Sequence, residues 1–321
     1  MTFERLPTHP TAEGLIDKAF SRAARTGRAK SGLEAQQSML QTASNILGDN
    51  LENLVRQWPD FGRINRFYYE LADALVSVDE VRQSLSELSW ASKQCQEIKS
   101  EYQGRLRGEV ETARKLRKQA FARLADVVEE VDADLARLGE ARDVLRDLPE
   151  IDPDEPTIVV AGYPNVGKST FVNEVTNARN ETARYPFTTK QVHVGHVEAN
   201  YIRYQLVDTP GLLDRAPEKR NEIESQASSA LTHLADAVLV FVDASERCGY
   251  PVDAQLALRD EVKRELDGFN VPLLTICTKA DESQAIEADY YLSVAEGENV
   301  DAVLEAAIDA VGYEPELPYE S

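Results

Sequence analysis

A glycine-rich loop that ends in a lysine and a serine occupies residues 162–169, with the sequence Gly-Tyr-Pro-Asn-Val-Gly-Lys-Ser. It follows a short apolar run and opens a helical stretch, the context in which such loops bind phosphate groups. Glycines let the backbone curl until its N–H groups face phosphate oxygens, and a helix N-terminus favours an anion. We expect Lys168 to neutralise phosphate charge and Ser169 to supply a hydroxyl to Mg²⁺. The nucleotide-binding residues predicted in this segment are Gly162, Asn165, Val166, Gly167, Lys168, Ser169 and Thr170.

Two later motifs each follow an apolar run, at the point where a strand would end. The first, Asp208-Thr-Pro-Gly211, offers a carboxylate that can reach Mg²⁺ and, at Gly211, an amide that can sense a γ-phosphate. The second, Thr278-Lys-Ala-Asp281, offers a carboxylate that can accept both N–H groups of the Watson–Crick edge of guanine, a donor pattern that adenine lacks. Its usual first residue is Asn, so Thr278 is a departure, but the Lys279 stem and the Asp281 carboxylate remain. These motifs favour GTP and GDP over the alternative of an ATPase with a coincidental loop.

Two weaker motifs complete the predicted nucleotide site. Tyr185-Pro-Phe-Thr-Thr-Lys190 stands where a first switch is expected. One of its threonines would complete the Mg²⁺ shell when GTP is bound; we favour Thr189, with Thr188 as the alternative. Ser293-Val-Ala-Glu-Gly297 stands where a loop contacts the base through Ser293 and Val294, although Val294 replaces the usual Ala.

Two further residues bear on the rate at which GTP would be hydrolysed. Leu212 stands where many switch GTPases carry the glutamine that orients the attacking water, and leucine cannot do that. Asn165 lies in a G-x-x-N-x-G-K-S loop that resembles the loop of potassium-activated GTPases. There the amide oxygen helps to bind K⁺ in place of an arginine finger, a contribution of roughly 10³–10⁵ in rate. We therefore predict slow hydrolysis stimulated by K⁺, with Lys168, Thr189 and Asn165 as the catalytic residues; the alternative is that Asn165 binds no ion.

The pattern of apolar residues predicts two domains of different class. Residues 12–147 carry apolar positions at helical spacing, in the series Ile64–Tyr102 and Leu106–Leu145, which predict two packed helices with a turn near Gly104 and Gly108. Shorter helices before residue 57 would complete a bundle. Leu148–Pro156 then contains three prolines and four acids, which indicates a linker.

After the linker, short apolar runs alternate with helical stretches. This alternation predicts a mostly parallel sheet with helices on both faces, the α/β class of a P-loop GTPase domain, preceded by an all-α helical bundle. The segment 192–200 is expected to pair antiparallel at the edge of the sheet with the strand at 201–208. The predicted strands are 157–161, 204–208, 237–243 and 273–278, and the predicted domains are 1–148 (helical bundle), 149–156 (linker), 157–312 (GTPase domain) and 313–321 (acidic tail).

The composition is that of a globular, acidic protein. Acidic residues outnumber basic ones by 56 to 35, a net charge of −21, and arginine outnumbers lysine by 24 to 11. Such a surface stays hydrated through net repulsion, and it indicates a salt-in halophile; the alternative is an ordinary acidic cytosolic protein. No run of 18 apolar residues and no signal-peptide stretch are present, so we expect a cytoplasmic protein. The three cysteines, at positions 95, 248 and 277, are expected to be buried or inert thiols.

The motifs together resemble the nucleolar GTP-binding protein 1 family, an Obg-related group of translation-factor-class GTPases. The resemblance implies a role in large-ribosomal-subunit assembly, with the subunit precursor and its rRNA as partners, hydrolysis stimulated by the ribosome, and no DNA or membrane partner. The chain is expected to be a monomer and a short, archaeal-type member, because eukaryotic members carry a long C-terminal extension. Beyond the shared motifs, the resemblance rests on Phe67–Asp73, Pro156–Asn165, Asp208–Asp214, Asn221–Leu231 and Asp243–Gly249.

The resemblance gives a use to the uneven distribution of charge. Residues 1–150 have a net charge of −3, whereas residues 151–321 have a net charge of −18. Two stretches of the first half, 18–33 and 112–125, contain basic residues and no acidic residue, which indicates contacts with RNA phosphates. The alternative is a solvated helix face that pairs with the acidic domain. The predicted rRNA contacts are Arg22, Arg25, Arg28, Lys30, Arg114, Lys115, Arg117 and Lys118.

Three functions remain open on the sequence. The leading one is a GTP-hydrolysing switch that leaves the ribosomal precursor after hydrolysis. Leu212 also permits a nucleotide-dependent adaptor that scarcely hydrolyses GTP and whose helical domain docks a protein. A membrane-remodelling GTPase is disfavoured, because no basic amphipathic surface helix or lipidation signal is present.

Overall fold

The computed structural model describes residues 3–148, 151–176, 181–184, 191–208, 231 and 233–313, with the backbone alone for 181–184 and 191–192. The chain divides into two compact units. The helical unit comprises Thr2–Ile64 and Val76–Arg146. The sheet unit comprises Asn65–Leu75 and Asp147–Ser321, together with Met1.

The helical unit packs around helix α2. Thr11 Oγ1 caps α1 by accepting from Gly14 N at 3.1 Å, and Asp132 Oδ1 accepts from Ala12 N at 2.9 Å. Ser92 Oγ donates to the carbonyl of Gly48 at 2.9 Å, because the missing side chain of Gly48 lets α4 approach α2 closely. The helices of this unit are α1 (Ala12–Arg28), α2 (Gly32–Gln57), α4 (Val78–Arg105), α5 (Val110–Glu130) and α6 (Asp132–Arg146).

The predicted turn near Gly104 and Gly108 lies between α4 and α5, but each of the two long predicted helices is broken. The first is interrupted at Ser77, which has φ +51° and separates α3 (Arg66–Val76) from α4. The second is interrupted at Val131, between α5 and α6. The apolar spacing continues across both breaks, so periodicity alone could not reveal them. The described helices before residue 57 are α1 with 17 residues and α2 with 26, both shorter than the two long helices that the apolar series predicted.

The sheet unit contains a seven-stranded sheet in the order β2-β3-β4-β1-β5-β6-β7. Strands β4, β1, β5, β6 and β7 run parallel, and β2–β3 and β3–β4 are antiparallel pairs. The described strands are β1 (Thr157–Ala161), β2 (Glu181–Arg184), β3 (Gln191–Ala199), β4 (Ile202–Asp208), β5 (Ala237–Asp243), β6 (Leu273–Thr278) and β7 (Tyr290–Leu292), and the described helices after β1 are α7 (Lys168–Val175), α8 (Val252–Glu265) and α9 (Val300–Val311).

This architecture confirms the predicted α/β fold class and the helical region before it. The antiparallel partner of β4 is also confirmed, but it is not the edge strand, because β2 pairs with its other side. The sequence analysis did not predict β2 or β7, each of which is only three or four residues long. Strands that short carry too few residues for a clear alternation.

The segment between the helical region and β1 is anchored to the sheet unit. Tyr68 of α3 donates its hydroxyl to the carbonyl of Ile151 at 2.6 Å and accepts from Ile151 N at 3.1 Å. Gln205 of β4 exchanges two hydrogen bonds with the backbone of Asp152, at 2.8 and 2.6 Å. Helix α3 therefore belongs to the sheet unit although it lies within the predicted helical domain 1–148. The domain limits at residues 148, 156 and 312 stay predictions, and residues 314–321 of the predicted tail lie outside the described residues.

The three cysteines are free and buried, as predicted. Burial raises the pKa of each thiol, that of Cys95 to about 12, which keeps the thiols protonated at neutral pH. No helix in the described part of the chain is long and apolar enough to cross a lipid bilayer.

Candidate nucleotide site

The glycine-rich loop leaves β1 and enters α7 as the sequence predicts. Gly162 has φ +132°, and a Cβ on it would lie 2.5 Å from the carbonyl oxygen of Phe241, so only glycine fits there. Gly167 has φ +106° and is the N-cap residue of α7. The buried Lys168 donates its ammonium to the carbonyls of Gly162 and Tyr163, at 2.7 and 2.9 Å. The loop backbone thus curls around a cation at a helix N-terminus, an arrangement that suits phosphate groups.

Two oxygen donors meet beside this loop. Asp208 ends β4, opposite Val160 of β1 in the parallel register, and its side chain is fully buried. The hydroxyl of Ser169, in the first turn of α7, donates to Asp208 Oδ2. A carboxylate and a hydroxyl are hard ligands that fit Mg²⁺, which binds proteins through few oxygens and keeps the rest for phosphate and water. Thr188, Thr189, Gly211 and Leu212 lie outside the described residues.

Three of the predicted motifs line one cavity of about 220 Å³. This volume is below the roughly 300–1,000 Å³ of drug-sized sites, so it suits a flat base rather than a whole nucleotide. The predicted residues in its wall are Val166, Gly167 and Thr170 from the phosphate loop, Thr278, Lys279 and Asp281 from the second motif, and Ser293 and Val294 from the last loop.

Backbone hydrogen bonds hold together the two loops that are predicted to contact the base, Thr278–Asp281 and Ser293–Gly297; we call the place where they meet the base site. Ala280 N donates to the carbonyl of Leu292 at 3.0 Å, which joins the loop after β6 to the end of β7. Ser293 and Glu298 exchange two backbone hydrogen bonds, at 3.2 and 2.8 Å, which close the Ser293–Gly297 loop. The hydroxyl of Thr278 donates to the carbonyl of Val242 at 3.3 Å. The residue that replaces the usual Asn is therefore engaged within the sheet.

Asp243, at the end of β5, holds the lysine of the base site, and the sequence analysis assigned it no role. Its buried carboxylate accepts from Lys279 Nζ at 2.6 Å, from Ser245 N and Oγ at 2.9 and 2.5 Å, and from Cys248 N at 2.9 Å. Burial by itself raises the pKa of Asp243, but these hydrogen bonds, led by that of Lys279, outweigh it and hold the pKa below its usual value. Lys279 has φ +50°, so its backbone is strained and needs such an anchor. The available signal was that Asp243 ends an apolar strand, as Asp208 does.

The loop after β5 also touches the phosphate loop. The rings of Tyr163 and Tyr250 stack with their centroids 4.2 Å apart. Gln255 of α8 fixes this loop, because its side chain exchanges hydrogen bonds with the backbone of Asp243 at 2.7 and 3.0 Å and donates to the carbonyl of Tyr250 at 2.8 Å. Residues 243–250 therefore contact both the phosphate loop and, through Lys279, the base site.

The predicted RNA contacts lie in the helical unit, and most are exposed. Phe20 of α1 stacks on Phe121 of α5 with ring centroids 4.5 Å apart. Helical residues follow one another by about 100° around the axis, so Lys18, Arg22 and Arg25 share a side of α1 that lies roughly 140–160° from Phe20. We call these three residues the α1 stripe. It lies on the side of α1 away from α5, and Lys18 Nζ donates to Asn50 Oδ1 of α2 at 3.3 Å.

The basic residues of α5 form a second surface. Arg114, Arg117 and Lys118 lie on the same side of α5 as Phe121, and we call them the α5 stripe. Arg117 is half-buried, with its guanidinium carbon 5.1 Å from the centroid of the Phe121 ring. Lys115 lies about 120° away from Phe121 around the helix. The structure thus separates the predicted contacts on α1 from those on α5.

Two of the predicted RNA contacts form exposed ion pairs. Lys30 pairs with Glu34 at 3.0 Å, and Arg114 pairs with Glu111 at 3.2 Å. Exposed pairs of this kind contribute roughly 0–1 kcal/mol, so a phosphate can compete with these carboxylates. Arg22, Arg25, Arg28, Lys115 and Lys118 are exposed and make no ion pair with another described residue.

The fold and the site together define a P-loop GTP-binding protein of the GTPase class. Residues 157–279 match the family model described as 50S ribosome-binding GTPase, and residues 3–152 match that of the NOG1 N-terminal helical domain. The chain belongs to the nucleolar GTP-binding protein 1 (NOG1) family, as the sequence motifs indicated.

Two relatives and one solved structure are similar to this chain. The chain is 35% identical to an uncharacterized protein of Methanocaldococcus jannaschii over 87% of this chain and 81% of that protein. It is 36% identical to the nucleolar GTP-binding protein 1 of Drosophila melanogaster over 73% of this chain and 36% of that protein. A crystal structure of a nucleolar GTP-binding protein 1 from Plasmodium falciparum covers 51% of this chain and 90% of its own, with 31% identity and a TM-score of 0.46. The chain spans only about a third of the length of the Drosophila relative.

Proposed function

We propose that this protein is a GTP-hydrolysing switch that acts in the assembly of the large ribosomal subunit, in the cytoplasm. The observation that carries the proposal is the cavity in which the phosphate loop, the Asp281 motif and the Ser293 loop meet. The name of the family model for residues 157–279, 50S ribosome-binding GTPase, supports the ribosomal part. The helical unit supplies the RNA-binding surface and the sheet unit supplies the nucleotide response.

In the proposed mechanism, each residue of the site has one task. Lys168 binds the β- and γ-phosphates, and Ser169 and Asp208 hold Mg²⁺, which neutralises phosphate charge when bound. Asp281 accepts two hydrogen bonds from guanine, and Asp243 keeps the Lys279 stem in place beside the base. Thr189, or Thr188 as the alternative, is expected to complete the Mg²⁺ shell when GTP is bound, and hydrolysis then releases the protein from the ribosomal precursor.

Nucleotide choice provides the first test. Binding of fluorescent GDP is measured in competition with GTP, ATP and XTP, on wild-type protein and on Lys168→Ala. We expect competition by GTP and little by ATP, because adenine lacks the paired donors that Asp281 accepts. Equal competition by ATP would overturn the assignment of guanine.

We further propose that hydrolysis is slow and stimulated by K⁺. Asn165 is exposed in the phosphate loop, with φ +64°, so its side chain is available to an ion and its backbone is held in a restricted conformation. Hydrolysis is measured in KCl and in NaCl at the same ionic strength, for wild type and for Asn165→Ala. We expect faster hydrolysis in KCl for wild type alone, and equal rates in the two salts would show that no K⁺ takes part.

Cosedimentation tests the ribosomal role. Wild-type protein is centrifuged with large ribosomal subunits and their precursors in the presence of a non-hydrolysable GTP analogue, GDP or no nucleotide. The proposed switch is expected to bind the subunits best with the analogue. Equal binding with the analogue, with GDP and without nucleotide would contradict the proposal. An adaptor with little hydrolysis, the alternative that Leu212 permits, would bind in the same way but would not be released when GTP replaces the analogue.

A further inference from the structure

A cavity in the helical unit lies where the segment before α1 meets α1 and α2. Its volume is about 690 Å³, within the range of roughly 300–1,000 Å³ that small-ligand sites occupy. None of the described residues that line it is acidic, in a protein whose net charge is −21. Its polar and charged wall includes Arg5, His9, Lys18, Asn50, Asn53 and Gln57.

The two cations of this cavity are available to an anion. Arg5 is exposed, and Lys18 donates to the amide oxygen of Asn50 at 3.3 Å. Among the residues that the structure describes, neither cation makes an ion pair with a carboxylate. Lys18 is also the first residue of the α1 stripe, which extends to Arg25 over about 10 Å of helix. A chain of phosphates that entered the cavity could therefore continue along α1.

The amide side chains indicate that the ligand is more than a phosphate. Asn50, Asn53 and Gln57 are spaced by three and four residues and so share one side of α2. Asn50 is engaged by Lys18 and by the carbonyl of Ile46, at 2.6 Å. Asn53 and Gln57 are exposed, and their side chains make no hydrogen bond with another described residue. An amide offers both a donor and an acceptor, which matches the hydroxyls of a ribose or the edge of a base, whereas an ionised phosphate only accepts.

His9 also lies in this wall. Trp58 Nε1 donates to His9 Nε2 at 3.2 Å, which places the proton of the neutral ring on Nδ1. His9 Nδ1 is shielded from solvent and has no hydrogen-bond partner in the described part of the chain, an arrangement that folded proteins rarely leave uncompensated. The buried side chains of Leu6, Pro7 and Leu54 form the apolar part of the wall, where the face of a base can rest.

We propose that this cavity binds one unpaired nucleotide of ribosomal RNA, with its phosphate on Arg5 and Lys18, its ribose hydroxyls on Asn53 and Gln57 and its base against the apolar part of the wall. This inference rests on the proposed function and names the form of RNA that the helical unit recognises. It assigns a part to Arg5, Asn53 and Gln57, none of which the basic stretches of the sequence pointed to.

The test uses the full chain and a fluorescein-labelled, single-stranded RNA of 12 nucleotides and mixed sequence, with fluorescence anisotropy as the readout. The variant Lys18→Gln/Asn53→Ala removes one cation and one amide from the cavity. The matched control, Lys93→Gln/Gln41→Ala, changes the same residue classes at exposed positions of α4 and α2 outside the cavity. Circular dichroism and GDP affinity verify that both variants are folded. The exposed single variant Gln57→Ala keeps the test valid if the double variant does not fold.

We expect the cavity variant to bind the RNA at least tenfold more weakly than the control. We also expect the slope of log affinity against log salt concentration to fall by about 0.7 for the lost phosphate contact. DNA of the same sequence is expected to bind more weakly than the RNA, because it lacks the 2′-hydroxyl. Equal binding of DNA and RNA, or equal affinity of cavity variant and control, would overturn the assignment.

The outcome for ribosomal subunits separates this inference from the proposed function. If wild type cosediments with large subunits and binds the RNA, and the cavity variants do the same with unchanged affinity, only the cavity assignment fails. If wild type neither cosediments with subunits nor binds the RNA, both the proposed function and the cavity assignment fail.

Discussion

Replacement of Asp243 by asparagine is expected to weaken both the sheet unit and its hold on guanine nucleotides. The two carboxylate oxygens serve different partners: Oδ1 accepts from Ser245 N and Oγ, and Oδ2 accepts from Lys279 Nζ and Cys248 N. An asparagine must place its NH₂ group in one of these positions, where it would face two donors. The variant therefore loses at least two hydrogen bonds and sets donors against one another in a site that is fully buried.

The expected cost follows from these contacts. Hydrogen bonds to charged groups contribute about 1.5–3 kcal/mol each, and breaking a buried ion pair costs about 3–5 kcal/mol. Lys279 is 29% exposed, which moves the estimate towards the lower end, so we expect a loss of about 3 kcal/mol in the free energy of unfolding. Because the lysine also loses its anchor beside the base, GDP affinity is expected to fall by roughly ten- to a hundredfold, at about 1.4 kcal/mol per tenfold.

Two measurements on purified protein check this prediction. Unfolding in guanidinium chloride is followed without nucleotide, because a bound ligand stabilises the folded state by mass action. The dissociation constant of fluorescent GDP is measured separately in Mg²⁺. Asp236→Asn is the control: this residue precedes β5, and its carboxylate accepts from Thr157 N at 2.7 Å, at the opposite end of the strand from Asp243.

The control is expected to lose some stability and no GDP affinity. Because the pKa of Asp243 is lowered, the pH dependence of the free energy of unfolding gives a further check. A carboxyl whose folded pKa lies below its unfolded pKa stabilises the protein above the unfolded value, and this contribution is lost as the pH falls through the folded value. As the pH falls below about 4, the difference in stability between the variant and wild type is thus expected to shrink. An Asp243→Asn protein with the stability and GDP affinity of wild type at pH 7 would refute the reasoning.

Three further changes test other parts of the structure. Asp281→Asn is expected to weaken GTP binding at least a hundredfold, through two lost charge-assisted hydrogen bonds of about 1.5–3 kcal/mol each, and to favour XTP in competition; unchanged GTP affinity would remove Asp281 from the base site. Gly162→Ala is expected to lower the free energy of unfolding by about 2–4 kcal/mol, because the new Cβ meets Phe241 O at 2.5 Å and φ is +132°. Gly104→Ala, on a helix with nothing within 4 Å, serves as its control and is expected to stabilise slightly in denaturant unfolding. Burial, aided by Arg142 and opposed by Asp143, lowers the pKa of His9 to about 4, so the unfolded chain binds more protons between pH 4 and 6.5. Stability is therefore expected to fall as the pH drops through that window in wild type and less steeply in His9→Gln; parallel pH profiles would contradict this.

Much of the nucleotide site could be predicted from the sequence because its chemistry is local. The phosphate loop needs Gly162, Gly167, Lys168 and Ser169 at fixed spacing, and that spacing is visible without a fold. The strands that precede Asp208 and Thr278 are buried on both faces, so they read as continuous apolar runs. Parallel strands place their carboxyl ends at one edge of the sheet, which is why motifs more than a hundred residues apart could be expected to meet.

The remaining features depend on contacts between distant segments, which only the tertiary structure decides. The stripe of apolar residues runs on through Ser77, but contacts that no local pattern reveals, such as the hydrogen bonds of Tyr68 with Ile151, place α3 with the sheet unit. The anchor of Lys279 is Asp243, 36 residues earlier in the chain, and no local pattern joins the two. The two basic stretches look alike in sequence, but helical phase and the Phe20–Phe121 stack put the α1 stripe and the α5 stripe on different surfaces. The sequence by itself determined which groups are predicted to bind the nucleotide, because motif chemistry depends on spacing. The tertiary structure decided what holds those groups and on which surface each basic residue lies, because side-chain packing depends on neighbours that are far apart in the chain.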